Sequence, residues 1–330
     1  MQKGLVSIIT PCYNTAHLVS RLLNSVVNQT YLNIEMLLID DGSTDNLKEV
    51  VEMYKDAFTE RGYVLIYLYQ ENQGQSAAIN KGLKLIRGEF LVWPDSDDWF
   101  RTNDAIELMV KSLEGSDGSY GVVRCLPTYV NENNGKERQA IGYSSDIDQF
   151  KNCLYNERFF WGAGNYMVKV AALDNSMPGR EIYVAKNAGQ NWQLLLPVLY
   201  NYKCITLVDS YLNVLERADS HSRGMYADSF DRQMLRIQSY ENTVVATLKQ
   251  MQMDEDRKKK YLHNVTCKYL LERLNISIEY KQGQSALEYY KKYKVLGGRL
   301  AGIRLAIIYI LNIPILRSLY MIYNNKNVRD

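Results

Sequence analysis

The sequence is poor in the residues that build a disulfide-linked or zinc-binding protein. Its 330 residues include five cysteines, none in a CxxC pair, and three histidines. Cysteines spaced this widely argue against a disulfide framework and a zinc site, and they are typical of a reducing cytoplasm. The opening residues, MQKGLVSIIT, lack the regions of a signal peptide. We therefore expect a cytoplasmic protein.

Two nucleotide-binding signatures are also missing. No GxGxxG follows the first apolar run, which disfavours a dinucleotide-dependent dehydrogenase, and no GxxxxGK[ST] occurs, which disfavours a P-loop NTPase. Hydrophobic residues make up 46% of the chain and charged residues 23%, as in ordinary globular proteins.

Positive charge is concentrated near the C-terminus. Residues 291–330 contain eight Lys and Arg and one acid, a local charge of +7, which leaves −5 of the net +2 for the first 290 residues. A basic tail on an acidic body indicates an anionic partner for the tail alone. We expect no nucleic acid partner.

The first hundred residues alternate strand and helix patterns. Four apolar runs predict strands, and the segments between them carry helical spacing; the runs are 5–10, 34–39, 63–69 and 90–93. This alternation predicts βαβ units, hence an α/β fold with a mostly parallel sheet flanked by helices. After Tyr120 we expect shorter strands and loops that complete the site, and from about Tyr226 a helical region.

A polar cluster follows each of the four predicted strands. The clusters are 11–14, 40–45, 72–75 and 95–98. Ligands of parallel sheets bind beyond the carboxyl ends of the strands. We therefore expect the four clusters to meet at one edge and to form a site.

The fourth cluster, Asp95-Ser96-Asp97-Asp98, places three carboxylates after a buried strand. Asp95 and Asp97 are two residues apart, so an extended backbone would point them the same way. Carboxylate oxygens are the ligands that Mg²⁺ and Mn²⁺ prefer. The alternative is a solvated acidic turn with no ligand.

The second and third clusters have a structural and a functional interpretation. In residues 40–45, Ser43 or Thr44 can cap the next helix and Gly42 can provide a tight turn, while a carboxylate at the strand end could accept the N–H of a uracil ring. In residues 72–82, small side chains near the start of a helix would allow a nucleotide to approach closely.

Taken together, the clusters resemble the inverting family 2 glycosyltransferases, which have a GT-A fold. The matching segments are VSIITPCYN (6–14), DDGSTD (40–45), NQGQSAAINKG (72–82) and DSDD (95–98), with weaker similarity in WGAG (161–164), GQNWQ (189–193) and RADSHSR (217–223). The resemblance implies transfer of a sugar from a nucleotide-sugar, most simply a UDP-sugar. The acceptor would be a glycan or a lipid-linked molecule in bacterial surface-polysaccharide synthesis.

The resemblance also assigns roles to individual residues. Asp97, alone or with Asp98, would hold Mn²⁺ or Mg²⁺ at the diphosphate, and Asp95 would contact the ribose or the same metal. Trp161, Gln190, Asn191 and Trp192 would position the acceptor. Tryptophans and a loop histidine also have purely structural interpretations. The residues assigned to the donor are Pro11, Tyr13, Asn14, Asp41, Asn72, Gly74, Ala78, Asp95, His221 and Arg223.

The chain departs from the family pattern at two positions. Ile79 stands where the family usually carries Arg, and Gln190-Asn191 stands where the family usually carries a Glu-Asp pair with the catalytic base. An amide cannot take a proton from an acceptor hydroxyl. Asp98 and Glu181 are the candidates for the base, and we expect Asn191 to position substrate.

Two other functions fit parts of the pattern. A nucleotidyltransferase could use a similar sheet and metal site, although residues 10–14 are not the Gly- and basic-rich loop that such an enzyme needs. A non-catalytic protein that binds nucleotide-sugars would explain Gln190-Asn191.

We divide the chain into a catalytic domain at 1–225 and a helical region at 226–330. The 12 residues 305–316 are uncharged, too few for a bilayer-spanning helix of about 20 residues. Apolar residues at helical spacing among cations predict an interfacial helix, peripheral on the inner face of the plasma membrane. The alternative is that the same stripe packs on protein.

Overall fold

Strands and helices alternate through the first two thirds of the chain in the computed structural model. It describes residues 1–141, 148–185, 187–217, 229–300, 302–316, 318 and 320. Within them, nine strands form one sheet. The strands are β1 Gln2–Cys12, β2 Ile34–Asp41, β3 Val64–Gln70, β4 Gly88–Val92, β5 Trp99–Phe100, β6 Tyr120–Asn131, β7 Glu137–Gln139, β8 Tyr166–Lys169 and β9 Lys203–Glu216.

The α-helices of the described residues are six to 25 residues long. Those between the strands are α1 Ala16–Val27, α2 Leu47–Glu52, α3 Lys55–Glu60, α4 Gln75–Leu83, α5 Ala105–Glu114, α6 Gln149–Tyr155, α7 Val170–Ser176 and α8 Gln190–Asn201, with a 3₁₀ turn at Ala163–Asn165. The others are α9 Phe230–Gln250, α10 Glu255–Glu279, α11 Gly283–Val295 and α12 Gly302–Asn312.

The sheet runs in the order β3-β2-β1-β4-β8-β6-β9-β5, and β7 pairs with β6. The pairs β3–β2, β2–β1 and β1–β4 are parallel, as the strand-helix alternation predicts. β8 pairs antiparallel with β4 and with β6, so the parallel half ends at β4. The prediction of short strands after Tyr120 is right for β7 and β8, which have three and four residues, and wrong for β6 and β9, which have 12 and 14 residues and pair in parallel.

Apolar side chains cover both faces of the parallel strands, which explains why their sequences are continuously hydrophobic. Ile8 belongs to the core cluster that includes Val19 and Leu22 of α1. Its neighbour Ile9 faces the opposite side, where a Cβ on Gly82 of α4 would come within 2.7 Å of its side chain. Gly82 therefore permits close helix–strand packing.

The chain divides into two compact units, Met1–Ala218 with Lys249–Gln252, and Asp219–Leu248 with Met253–Asp330. The helical character expected from about Tyr226 is confirmed by α9 to α11. No helix in the part of the chain that the structure describes is long and apolar enough to cross a bilayer.

All five cysteines are free, as their spacing predicts. Cys12, Cys125, Cys153 and Cys204 are buried in the first unit. Cys267 lies on α10 of the second unit and is partly exposed, with its Sγ 3.6 Å from His263 Nε2.

Candidate functional site

Loops that follow the parallel strands are bonded to one another at the carboxyl edge of the sheet. The backbone N–H of Asn14, after β1, donates to Ser43 Oγ at 2.9 Å, and the N–H of Thr44, after β2, donates to Asn14 Oδ1 at 2.8 Å. The prediction that the polar clusters meet is confirmed. Asn14, assigned to the donor, uses its side-chain oxygen to hold the second loop.

Asp41, at the end of β2, holds the third loop in place. Its carboxylate accepts hydrogen bonds from the backbone N–H groups of Gln73 and Gly74, at 2.9 and 2.8 Å, and from Gln70 Nε2 at 2.7 Å. Gly74 has a φ of +92°, a conformation that favours glycine. A carboxylate has about four acceptor positions, so one position of Asp41 remains for a base N–H beside these three bonds.

The capping interpretation of residues 40–45 is wrong in its choice of residue. Asn46 is the N-cap of α2, and it is Asp45 that accepts from the N–H of Leu47, at 3.3 Å, and from the N–H of Ala16 in α1, at 2.9 Å. Asp45 thus accepts hydrogen bonds from the first backbone N–H groups of both α1 and α2. Gly42 does make the predicted tight turn, with φ +84° and no room for a Cβ beside Asn72.

Residues 95–98 form a turn, so the expectation of an extended backbone there is wrong. The N–H of Asp98 donates to the carbonyl of Asp95 at 3.2 Å, and the three carboxylates have different partners. Asp95 Oδ1 accepts from the side-chain amides of Gln75 and Gln190, at 2.9 and 3.2 Å. Asp97 Oδ2 forms an ion pair with Arg217 at 3.0 Å.

The turn concentrates negative charge in a buried place. Burial, followed by the charge of Asp97, raises the pKa of Asp95 to about 7. Burial, with the charges of Asp97 and Asp95, raises the pKa of Asp98 well above its ordinary value. Charged groups held together in this way are stabilised by a cation.

Asp95 and Asp97 fit a divalent ion in the manner of nucleotide sites, where one or two carboxylates and the phosphates bind the metal. Among the described residues, no three His, Cys, Asp or Glu side chains converge on one point. Within the described part of the chain, the protein ligands of such a site would be these two carboxylates, with phosphate oxygens beside them.

The two base candidates lie in different surroundings. Asp98 is buried, and its Oδ1 accepts from the N–H of Leu215 in β9 at 3.1 Å, so it ties the turn to the sheet. Glu181 is exposed. Its neighbour Ile182 exchanges two hydrogen bonds with the Asn80 side chain of α4, at 2.8 and 2.9 Å, which fixes the backbone beside Glu181.

Asn191 uses both ends of its side-chain amide inside the protein. Its Oδ1 accepts from Trp93 Nε1 at 2.9 Å, and its Nδ2 donates to the carbonyl of Trp161 at 2.7 Å. Trp93 directly follows β4. The amide therefore connects α8, the fourth strand and the loop before β8, and only an amide makes both bonds.

Of the two tryptophans proposed as an acceptor platform, Trp192 belongs to the core. Its side chain is buried and its Nε1 donates to the carbonyl of Cys153 at 3.0 Å. Trp161 is partly exposed and lies tilted against Trp192, with ring centroids 4.4 Å apart. The expectation that both rings face an acceptor is wrong for Trp192, because its indole is already packed and hydrogen-bonded.

α4 contacts the segment before α8 through its inner face. Ser76 Oγ donates to the carbonyl of Ala188 at 2.6 Å. Ala78 is fully buried, so its side chain is not available to a donor, and the expectation that Ala78 contacts the donor is wrong. Ile79, the departure from the family pattern, is also fully buried in the core.

The other residues assigned to the nucleotide-sugar donor differ in solvent exposure. Pro11 is buried, whereas Tyr13 and Asn72 are exposed, Tyr13 by 52%. Their side chains flank the bonded loops described above. His221 and Arg223 lie outside the described residues.

Sequence patterns alone did not select Arg217, Gln75 and Trp93, which bind Asp97, Asp95 and Asn191. Arg217 opens the 217–223 segment, so its position among polar and cationic residues was the available signal. Gln75 ends the third polar cluster, 72–75, which was its signal, whereas nothing comparable marked Trp93.

Comparison with known proteins shows that the chain is similar to glycosyltransferases. The sequence profile described as glycosyl transferase family 2 matches residues 7–174. Glycosyltransferase GlyA of Streptococcus pneumoniae is 37% identical over 108 residues, which is 33% of this chain and 15% of GlyA. The matched segment thus spans a small part of that relative.

Two solved structures share the fold. S. aureus TarS, in complex with UDP-GlcNAc, has a TM-score of 0.57 at 18% identity, covering 85% of this chain and 82% of TarS. Mannosyltransferase PcManGT from Pyrobaculum calidifontis, with GDP-Man and Mn²⁺, has a TM-score of 0.52 at 17% identity, covering 94% and 87%.

Proposed function

Because the chain belongs to glycosyl transferase family 2, we propose that it transfers a sugar from a nucleotide-sugar donor to a glycan or lipid-linked acceptor. The GT-A fold expected from the sequence, with its helical C-terminal region, is confirmed by the sheet order and by the likeness to TarS. We assign this activity to the domain 1–225.

The observation that carries the proposal is the chain of hydrogen bonds along the carboxyl edge of the sheet. Asn14, Asp41 and Asp95 each bind the loop next to their own. A set of loops held in this way is preorganised, so a donor binds with a smaller loss of loop entropy. The edge of an open α/β sheet is where a nucleotide is expected.

We propose a UDP-sugar as the donor. Tyr13 supplies an exposed aromatic face for a base, and Asp41 supplies a carboxylate that a uracil N–H can share with the third loop. The complex of TarS with UDP-GlcNAc supports this choice, while the complex of PcManGT with GDP-Man makes a guanine donor the alternative for the test.

Asp95 and Asp97 would hold Mn²⁺ or Mg²⁺, which as a Lewis acid stabilises the charge on the leaving diphosphate. Gln75 and Gln190 orient the Asp95 carboxylate through its Oδ1. Arg217 lies beside Asp97 and supplies a further positive charge near the diphosphate. We propose that the sugar is transferred with inversion, by in-line attack on the anomeric carbon.

For the base we retain Glu181, because it is exposed and the backbone beside it is fixed on α4. Asp98 is less suited, since its carboxylate is buried and bonded to β9. A general base contributes about 10² to 10⁴ in rate. Glu181→Gln should therefore lower kcat by about that factor and leave the donor KM unchanged.

The test combines binding with turnover. In a thermal-shift series of UDP-, GDP-, dTDP- and CMP-sugars with and without Mn²⁺, we expect UDP-sugars with Mn²⁺ to raise the Tm most. Asp97→Ala should abolish the Mn²⁺-dependent part of the shift and of donor turnover, while circular dichroism stays that of the folded protein. Full turnover with unchanged metal dependence in Asp97→Ala would contradict the metal assignment.

The same experiment separates the proposal from its rival. The amide at Asn191 leaves the position of the usual family base without a carboxylate, which favours a non-catalytic sugar-nucleotide-binding protein. Such a protein would show the UDP-sugar shift and release no UDP with any glycan or lipid-linked acceptor.

A further inference from the structure

α12 presents two apolar faces. One is covered within the second unit, where Ile308 is fully buried beside Leu274 of α10 and Ala286 of α11. Leu311 is buried on the same side, close to Gly283 at the start of α11. Sequence analysis gave packing on protein as the alternative to membrane binding for these apolar residues. That alternative is confirmed for Ile308 and Leu311.

The second face points away from that core. Its members recur at spacings of three and four residues, so they lie on one side of the helix. Ile303 is 80% exposed, and Ile315 beyond the helix is 75% exposed. We call this the outer face of α12, made of Ile303, Ala306, Ile307, Ile310 and Ile313. Ile303, Ala306 and Ile313 are exposed and Ile307 and Ile310 are partly exposed, and an exposed apolar stripe of this kind is typical of a binding surface.

Cations surround one end of the outer face. Asn312 Nδ2 donates to the carbonyl of Gly283 at 2.8 Å, so the end of α12 lies at the start of α11 and the two helices are antiparallel. The last turn of α11 is therefore close to the first turn of α12. The exposed cations of this region are Lys291, Lys292, Lys294, Arg299 and Arg304. Lys292 is paired with Glu288 at 2.6 Å, and no acid occurs in the sequence between Tyr289 and Leu316.

We propose that the outer face of α12 docks on an anionic lipid bilayer, with these cations at the phosphate level. A helix with an apolar face among Lys and Arg is the chemistry of an interfacial anchor. A second copy of the chain is the weaker occupant, because a symmetric dimer through this face would bring the same cations together. This inference does not depend on the donor or on catalysis.

The test is co-sedimentation of the full-length protein with vesicles. We expect binding to phosphatidylserine-containing vesicles at low ionic strength and little binding to pure phosphatidylcholine vesicles. Each cation near the surface is worth about 1 kcal/mol, which is about fivefold in partitioning. Lys291→Ala with Lys294→Ala should thus weaken binding about 25-fold, and Ile303→Glu by about tenfold or more.

The matched control is Met53→Glu, which also places a carboxylate at a largely exposed apolar position, 72% exposed, in the first unit. It should bind vesicles as the wild type does. Failure of the wild type to bind anionic vesicles at low salt would overturn the proposal. Equal binding by Ile303→Glu would do so as well, and a change in its sedimentation velocity without lipid would identify the face as an interface between copies.

Discussion

At the scale of single residues, the most informative side chain is Asn191. It donates to the carbonyl of Trp161 and accepts from Trp93 Nε1, so both ends of its amide are hydrogen-bonded within the protein. A carboxylate at this position keeps one bond and faces the Trp161 carbonyl with a negative charge. The amide is thus required by the structure around it, whatever the reaction needs.

This leads to a prediction for Asn191→Asp. We expect the free energy of unfolding to fall by about 1 kcal/mol, the net contribution of the part-buried hydrogen bond to the Trp161 carbonyl that is lost. The rate of sugar transfer should not rise. Urea denaturation and a donor turnover assay measure the two effects, with Asn24→Asp, an exposed amide on α1, as the control. A large gain in rate would show that the position only lacks its base.

At the scale of secondary structure, the parallel strands are fixed at the edge opposite to the site. The fully buried Glu35 of β2 accepts from Ser7 Oγ of β1 at 2.6 Å and forms an ion pair with Arg87, 2.8 Å away. The backbone N–H of Gly88 donates to Ser7 Oγ at 2.9 Å, so this network also includes β4. Three neighbouring strands therefore share one polar connection.

We predict that Arg87→Ala lowers the free energy of unfolding by about 1–3 kcal/mol, because the buried Glu35 loses its charged partner, a half-exposed guanidinium, and keeps the hydrogen bonds from Ser7 Oγ and from the backbone N–H of residue 87. The donor KM of the folded fraction should not change, since the network lies at the far edge of the sheet. The control is Lys55→Ala, which removes an exposed pair with Glu52 and should cost about 1 kcal/mol or less. Equal losses in the two variants would contradict the prediction.

The secondary structure also shows which parts of the fold can be predicted from the sequence. The first four strands and their common edge follow from apolar runs that alternate with helical spacing, and the structure has them within a few residues. The hydrogen-bond and ion-pair partners of the site residues cannot be predicted from the sequence patterns. Gln190 and Asp95 are 95 residues apart, and Arg217 and Asp97 are 120 apart, so only the folded chain brings them together.

The turn at residues 95–98 illustrates the same limit. Two aspartates at a spacing of two residues have the same sequence in an extended strand and in a turn. The bond from Asp98 N–H to the Asp95 carbonyl selects the turn. The long strands β6 and β9 were missed because glycines and aromatic residues interrupt their surroundings.

At the scale of the whole molecule, the chain has two compact units, and the described residues of the proposed donor site lie in the first. A ligand at 100 times its Kd stabilises the state that binds it by about 2.7 kcal/mol. We predict that UDP with Mn²⁺ slows hydrogen exchange in the loops 11–14, 40–45, 72–75 and 95–98, with no change in α10 and α11. Exchange measured by mass spectrometry checks this, with Asp97→Ala as the control. Equal protection of α10 would show that the second unit responds to the donor.

The distribution of thiols has a practical consequence. Four of the five cysteines are buried in the first unit, and only Cys267, on α10, is partly exposed. Burial raises the pKa of the Cys267 thiol, so a maleimide dye reacts with it slowly near neutral pH, and the buried thiols react more slowly still. The unmodified wild-type chain thus carries a natural attachment point for a single fluorophore. Such a label reports from the unit that bears the outer face of α12, without removal of any native cysteine.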